Sequence, residues 1–556
     1  MNLKFLLRAD GPATQVMKKA QFKLDIVFKF ICLTFLFSQF LAINMCFAEK
    51  QPEHLQDGNA TGVEAPPAHS VRAKDEQYKN ANPTKYSETI RVLQPYWPTK
   101  QHGDPTGMIY VGDWDIFQNI FSPLVEMSSA NTVRPALAER WTQSADGKRW
   151  VFYLRKNLHW SNGSPITTEQ VVKSLERLAK GSKHTHFSSY VESIRALPDN
   201  QIEMLLKKTP KNFLTLLAFA DSSILHPDAY KNKKFTWDVP SNGAYRISSF
   251  TDTAMELQAN PYYWDYTAEK IKKVILTKAF GDPRDIDRLL SENLWDASTL
   301  DAGIVEKQEQ VDALKRKYDV FTGPPDFLFC LYFSLKKVKT GRLSAQFRQY
   351  LFQQVYQKFW EQNKKHPYRA SGLRFPGRKG SLTIAQFDEI FSKKKEISRK
   401  DHPEFPKTLE VIMSERHRAK PSSERLLKIL SSLGFSVKDN FLTLSELDQK
   451  RNSGEFDLFL TYSGASEYDP DTVWRYYSPD LAEPVASIEE LDQAQLESSD
   501  VKRNQMYQEF EKRAVERALF IPLKYENTYI VTSKRIVLDT TLAADWGLQL
   551  FKLKMR

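Results

Sequence analysis

The 556-residue chain has little cysteine: Cys32, Cys46 and Cys330 are its three. The first two lie in an N-terminal apolar stretch, so the rest holds one thiol and no intramolecular disulfide can staple it. Several chemistries lack their local signatures. There is no Gly-x-Ser-x-Gly nucleophile elbow, no Gly-rich phosphate loop ending in Lys, and no His-Glu-x-x-His zinc helix. Nor is there a dense basic helix or an aromatic-and-basic platform. The formal charge of +11 is spread over many segments, which argues against nucleic acid as a partner. Catalytic triads are spatial, so these absences weigh against an enzyme without excluding one.

What is present describes a folded protein of several domains. The composition, 41% hydrophobic and 26% charged, is that of an ordinary globular chain. A single hydrophobic core stops growing at roughly 250–300 residues, so two or three domains are expected. Near the start, Lys18, Lys19, Lys23 and Lys29 precede an uncharged run from Phe30 to Ala48. A positive flank, an apolar run and a small terminal residue predict an export signal over 1–48, cleaved after Ala48, and hence a periplasmic location. An uncleaved anchor is the competing reading, because such a run is long enough to span a bilayer. Residues 49–87 are polar, contain Pro52, Pro66, Pro67 and Pro83, and predict a flexible linker.

Helices and strands mix throughout the remainder, which predicts an α/β or α+β class. Trp150–Leu154 reads as a strand between Asp146-Gly147 and a later Asn-Gly. Thr167 and Gln170 have the spacing of a helix-opening capping box, followed by Val171, Val172, Leu175 and Leu178 at helical spacing. Further on, 424–433 and 506–516 read as helices and 456–462 as a buried strand. Candidate chemistry is sparse. Cys330, inside Phe327–Phe333, reads as a small core residue. His184 and His186 could offer two imidazoles to a metal, but their Gly/Ser/Lys-rich setting reads as a solvated loop. Glu467, Asp469 and Asp471 read either as an acid/base or cation site or as a surface turn beside Pro470. No cofactor and no metal are expected.

One block carries a specific resemblance. Pro135–Trp141, Ser144–Gly147, Phe152–Arg155 and His159–Thr167 together resemble the signature region of the family 5 extracellular solute-binding proteins. That is the oligopeptide-, dipeptide- and nickel-binding group serving ABC importers. Asn242–Tyr245 and Asn260–Trp264 resemble the family's lobe-crossing motifs. Leu331–Ser334, Gly454–Leu458, Tyr468–Asp471 and Ile521–Leu523 follow in the family's order. The resemblance implies a periplasmic-binding-protein-like, two-lobed α/β fold of type II with an inserted extra subdomain. Its first lobe would be residues 88–325 with a subdomain at 126–237, its second lobe 326–515, and 516–556 would return to the first lobe.

The implied function is capture of a peptide or peptide-sized solute by hinge closure and delivery to permease subunits in the inner membrane, by a monomer that is not an enzyme. The implied cleft residues are Trp114 and Asp115 from the first lobe and Tyr462, Ser466, Glu467 and Asp469 from the second. Peptide-binding members carry Trp-x-Ala-Asp where this chain has Ser463-Gly464-Ala465-Ser466, so the carboxylate that holds a peptide's ammonium group is replaced by a hydroxyl. A charge-assisted bond of that kind is worth roughly 1.5–3 kcal/mol. A degenerate relative acting as a ligand sensor is therefore a second reading, and a secreted hydrolase on the same scaffold a third.

Overall fold

The computed structural model describes residues 89–556 apart from 95–96, 98–103, 105–110, 128–131, 182–186, 231–234, 268–270, 279–294, 302–307, 326, 419, 465–468 and 539–547. The expected export signal, the linker and His184-Thr185-His186 lie outside the described residues, as do Ser466 and Glu467. All of the described residues fall in one unit, within Asn82–Arg556. No helix among the described residues is long and apolar enough to cross a membrane.

Three sheets organise this unit. A seven-stranded sheet runs in the order Tyr318–Thr322, Thr528–Ser533, Ala297–Asp301, Thr89–Gln94, Lys273–Lys278, Ala254–Ala259, Tyr245–Phe250. Thr89–Gln94 is parallel to both its neighbours and is buried on both faces near its end, as parallel strands under helices are. A five-stranded sheet runs Ser436–Leu442, Thr408–Ser414, Leu458–Gly464, Phe327–Phe333, Phe520–Glu526. Phe327–Phe333 has no polar side chain other than its thiol and its tyrosine hydroxyl. It sits between two antiparallel partners with six of its seven residues buried. The third sheet, Ala138–Gln143, Arg149–Leu154, Gln201–Leu206, Val191–Leu197, is wholly antiparallel and packs against helix Thr168–Gly181.

Local signals explain where elements begin. Thr167 Oγ1 accepts from Gln170 N at 3.3 Å while Gln170 Oε1 accepts from Thr167 N at 3.1 Å, so the capping box forms as its spacing requires. The helix read at 506–516 begins earlier, at Asp500, because Ser499 caps it by accepting from Lys502 N. The helix read at 424–433 spans Pro421–Ser432, with proline at its first position, where a missing N–H costs nothing.

Two expectations need correcting. Asn242–Tyr245 and Asn260–Trp264 do not lie at a crossing between the two large sheets. Asn242 Oδ1 accepts from Ser122 N and Asn260 Nδ2 donates to Gly243 O, both at 2.9 Å, which fastens the seven-stranded sheet to the end of helix Val111–Ile120. Gly243 permits this approach, since a Cβ there would fall 2.6 Å from the Ile120 carbonyl carbon. The return to the seven-stranded sheet also falls later than residue 516. Phe520–Glu526 pairs with Phe327–Phe333 in the five-stranded sheet, and only Thr528–Ser533 joins the seven-stranded one. Although Phe520–Glu526 is an edge strand, it is buried along its length. Segment 368–370 covers it, with Tyr525 N donating to Tyr368 O at 2.9 Å.

Candidate functional site

The chain passes from the seven-stranded to the five-stranded sheet between Thr322 and Phe327, and returns between Glu526 and Thr528. The two passages touch: Gly323 N donates to Thr528 O at 2.8 Å. A Cβ on Gly323 would lie 2.6 Å from Thr528 Oγ1, so the absence of a side chain lets them meet. In the five-stranded sheet Phe327 pairs with Gly464 on one side and Glu526 on the other, which puts these three at the end nearest the passages. Tyr462, Ser463 and Gly464 therefore reach the place where a cleft between two such bodies would open.

Alternation along Leu458–Gly464 gives Tyr462 and Ser463 different surroundings. Tyr462 packs at a tilt against its cross-strand partner Phe329, 5.0 Å between ring centres, and stacks on His417 at 5.4 Å, and Lys420 Nζ stands 5.2 Å from its ring centre. Lys524 Nζ stands 5.7 Å from the Phe329 ring and pairs with Glu526. Burial holds His417 well below the usual imidazole range, helped by Lys420 and Arg416, so it is neutral, and its Nδ1 bonds Ser423 Oγ at 3.1 Å. The result is an aromatic wall, half-buried at Tyr462, edged by cations.

Ser463 lies on the other face, buried, with its Oγ 3.0 Å from the Tyr332 hydroxyl and 3.6 Å from Cys330 Sγ. Burial pushes the Cys330 thiol up to about 12, so it stays protonated and inert near neutrality. Tyr477 closes this side by donating to Gly464 O at 2.5 Å.

Asp469 is occupied by its own protein. It caps helix Pro470–Tyr477, accepting from Asp471 N at 2.9 Å, and Arg503 Nη2 lies 2.5 Å from both its carboxylate oxygens. Asp471 is buried and accepts from Arg475 Nε at 2.9 Å and from the Tyr507 hydroxyl at 3.1 Å. Asp469 and Asp471 are thus compensated by neighbouring side chains. Among the described residues, no group of three or more His, Cys, Asp or Glu is arranged to hold a metal ion.

On the seven-stranded side, Asp115 is buried within helix Val111–Ile120. Its Oδ2 accepts from Gln94 Nε2 at 2.9 Å, Oδ1 has no hydrogen-bond partner, and burial pushes the carboxyl up to about 7. Trp114 lies on the same helix, its side chain outside the described residues. Sequence reading missed His417, Lys420 and Arg503. Only the basic run Arg416–Lys420 at the end of a strand offered a signal, whereas Arg503 lies 34 residues from its carboxylate partner.

A pair of α/β bodies joined by two touching passages, with a smaller antiparallel sheet attached, is the architecture of type II periplasmic binding proteins. Residues 132–352 match the model of the bacterial extracellular solute-binding proteins, family 5. Over that region, less than half of its length, the chain is similar to the members of that family. The periplasmic oligopeptide-binding protein OppA of Salmonella typhimurium is 26% identical over 213 residues, 34% of this chain and 39% of its own length. The matched stretch therefore spans about two fifths of that relative. The solved structure of DppA from Helicobacter pylori in complex with the peptide STSA has a TM-score of 0.71 at 18% identity and covers 85% of this chain and 99% of its own. NikA from Staphylococcus aureus in complex with Ni(L-His)2 has a TM-score of 0.69 at 14% identity and covers 84% of this chain and 100% of its own. At these identities the two structures bear on the fold alone.

Proposed function

We propose that the chain is a periplasmic capture protein that closes on a peptide or peptide-sized solute and delivers it to the permease subunits of an ABC importer, working as an exported monomer and not as an enzyme. Its carrying observation is the contact of the two inter-sheet passages at Gly323 and Thr528, a narrow bending point of the kind hinge closure uses. The relatives support the same reading, since OppA is an oligopeptide-binding protein and the DppA structure holds a peptide.

In this proposal residues up to 325 form the first lobe, with its subdomain near 126–237, and the second lobe begins at 326. Tyr462 supplies apolar contact to the solute, Ser466 and Glu467 its polar contacts, and Trp114 and Asp115 face them from the first lobe. Asp469 anchors the end of segment 465–468 through its bond to Arg503. With Ser466 at the ammonium-binding position, solutes lacking a free amino terminus are accommodated as well as peptides that have one.

The test is native mass spectrometry of the exported protein, with identification of any co-purified small molecule. A peptide or similar solute at one per chain is expected. A bare chain that stays bare after challenge with a peptide mixture, or one that hydrolyses the mixture, overturns the proposal. The replacement of the family's Trp and Asp by Ser463 and Ser466 favours a second reading, a sensor that signals through a membrane partner. A gene without neighbouring permease and ATPase genes is its expected mark.

A further inference from the structure

The antiparallel four-stranded sheet and the five-stranded sheet meet away from the two passages, and they meet through polar side chains. Lys208 Nζ lies 2.5 Å from Asp492 Oδ2 and Lys211 Nζ lies 2.7 Å from Asp500 Oδ1. Between these pairs, Gln495 Nε2 donates to Asn212 Oδ1, with both residues buried. The three residues of the first set follow strand Gln201–Leu206. Those of the second lie on or at the start of helices Ile488–Leu496 and Asp500–Glu516.

Two of the three groups on the second side, Asp492 and Gln495, are held by a further partner in their own body. Asp492 Oδ1 accepts from Arg475 Nη2 at 2.8 Å, and Gln495 Oε1 accepts from Arg503 Nη2 at 2.7 Å. Arg475 and Arg503 in turn hold Asp471 and Asp469. Asp492 and Gln495 are therefore oriented before Lys208 and Asn212 arrive, which lowers the ordering cost of the contact. The apolar cores on the two sides share no residue among those described: Phe213, Leu216 and Tyr190 belong to one, Trp474, Tyr507 and Phe510 to the other. Separation would expose charges and amides that water solvates well. A contact of this composition can open and close repeatedly.

We propose that Lys208, Lys211 and Asn212, with Asp492, Asp500 and Gln495, form a polar clasp that holds the two lobes together without ligand. These are positioning residues: they set affinity through the population of the closed form and do not touch the solute. The inference rests on the hinge-closing reading above. Because apparent dissociation constants scale inversely with the competent fraction, weakening the clasp weakens capture by the factor through which the closed fraction falls.

The test reads lobe separation in the absence of solute. Nitroxides are placed at the exposed positions Lys156→Cys and Glu489→Cys of the full chain, with Cys32 and Cys46 replaced by Ser, and distances are measured by double electron–electron resonance. Lys208→Glu, at a half-exposed lysine, should raise the long-distance population about two- to fivefold, the range of a partly exposed ion pair. Lys208→Arg should leave the distribution as in the parent. Asn212→Leu should act in the same direction as Lys208→Glu, and if it fails to fold by circular dichroism, Lys208→Glu combined with Lys211→Glu replaces it. An unchanged distribution in folded Lys208→Glu, or a parent that shows only long distances, overturns the clasp. The outcome is independent of solute identification. A chain that yields no co-purified molecule yet lengthens on Lys208→Glu keeps the clasp and loses the transport reading. The opposite pair of results loses the clasp alone.

Discussion

Arg503 Nη2 lies 2.5 Å from each carboxylate oxygen of Asp469, and both side chains are nearly buried. The pair joins helix Asp500–Glu516 to the residue that caps helix Pro470–Tyr477, directly after segment 465–468. Removing one member of such a pair strands the other charge in a poorly solvated site. Arg503→Ala should cost about 3–5 kcal/mol in urea unfolding. Asp469→Asn keeps an acceptor for the cap and should cost less, about 1–3 kcal/mol. An Asp469→Asn variant that keeps full stability and loses solute would move Asp469 from anchor to ligand contact.

Two fully buried carboxyls make stability depend on pH in an unusual direction. Burial pushes Asp115 and Glu511 up to about 7, with Gln94 on the first and the backbone N–H groups of Leu373 and Arg374 on the second offsetting part of the effect. Their folded values exceed their unfolded ones, so the folded state binds protons more tightly between about pH 4 and 7. Their contribution is fully present below the unfolded value and is lost as pH rises through about 7. Asp115→Asn should therefore change stability little near pH 4.5 and raise it by about 1–3 kcal/mol at pH 8. Chemical unfolding of parent and variant at the two pH values gives the comparison, and equal shifts at both would contradict the buried-acid assignment.

The hinge offers a sharper test because it depends on a missing side chain. Gly323→Ala brings a Cβ to within 2.6 Å of Thr528 Oγ1, and the next nearest atom is the Thr528 carbonyl oxygen at 3.4 Å. The clash is mainly with a hydroxyl that can be deleted. Gly323→Ala should cost about 1–3 kcal/mol, and Thr528→Ala in the same chain should restore most of it. Additive single effects in this double-mutant cycle would mean that the two passages do not press on each other.

Local order was legible and distant pairing was not. Trp150–Leu154, read as a strand between its turn signals, forms strand Arg149–Leu154, and Thr167 with Gln170 marked a helix start that the structure repeats atom by atom. The second large helix was placed six residues late because Ser499 was not read as its cap. Phe520–Glu526 was assigned to the returning segment because sequence carries no record of which sheet an apolar strand joins; register with Phe327–Phe333 decides it. The acidic cluster looked available for chemistry because Arg503 and Tyr507 lie 34 and 36 residues from Asp469 and Asp471, although Arg475 is only one helical turn from Asp471. Alternation along Leu458–Gly464 gives Tyr462 and Ser463 different environments.

That last difference bears on why the family's tryptophan is absent. The Ser463 hydroxyl lies among Tyr332, Cys330 and Gly464, with Tyr477 covering the end of the strand, and it is the hydrogen-bond partner of the buried Tyr332 hydroxyl at 3.0 Å. Ser463→Ala leaves that hydroxyl without a partner in a dry site and should cost about 1–3 kcal/mol. Removing both groups, in Ser463→Ala with Tyr332→Phe, replaces a polar pair by an apolar one and should recover most of the loss. Ser463→Trp adds far more volume than the site can yield and should unfold more readily than Ser463→Ala, because Tyr332 and Tyr477 already fill the space. Thermal unfolding of the three variants and the parent orders them, and a Ser463→Trp protein as stable as the parent would mean that this face opens into a cavity able to receive an indole.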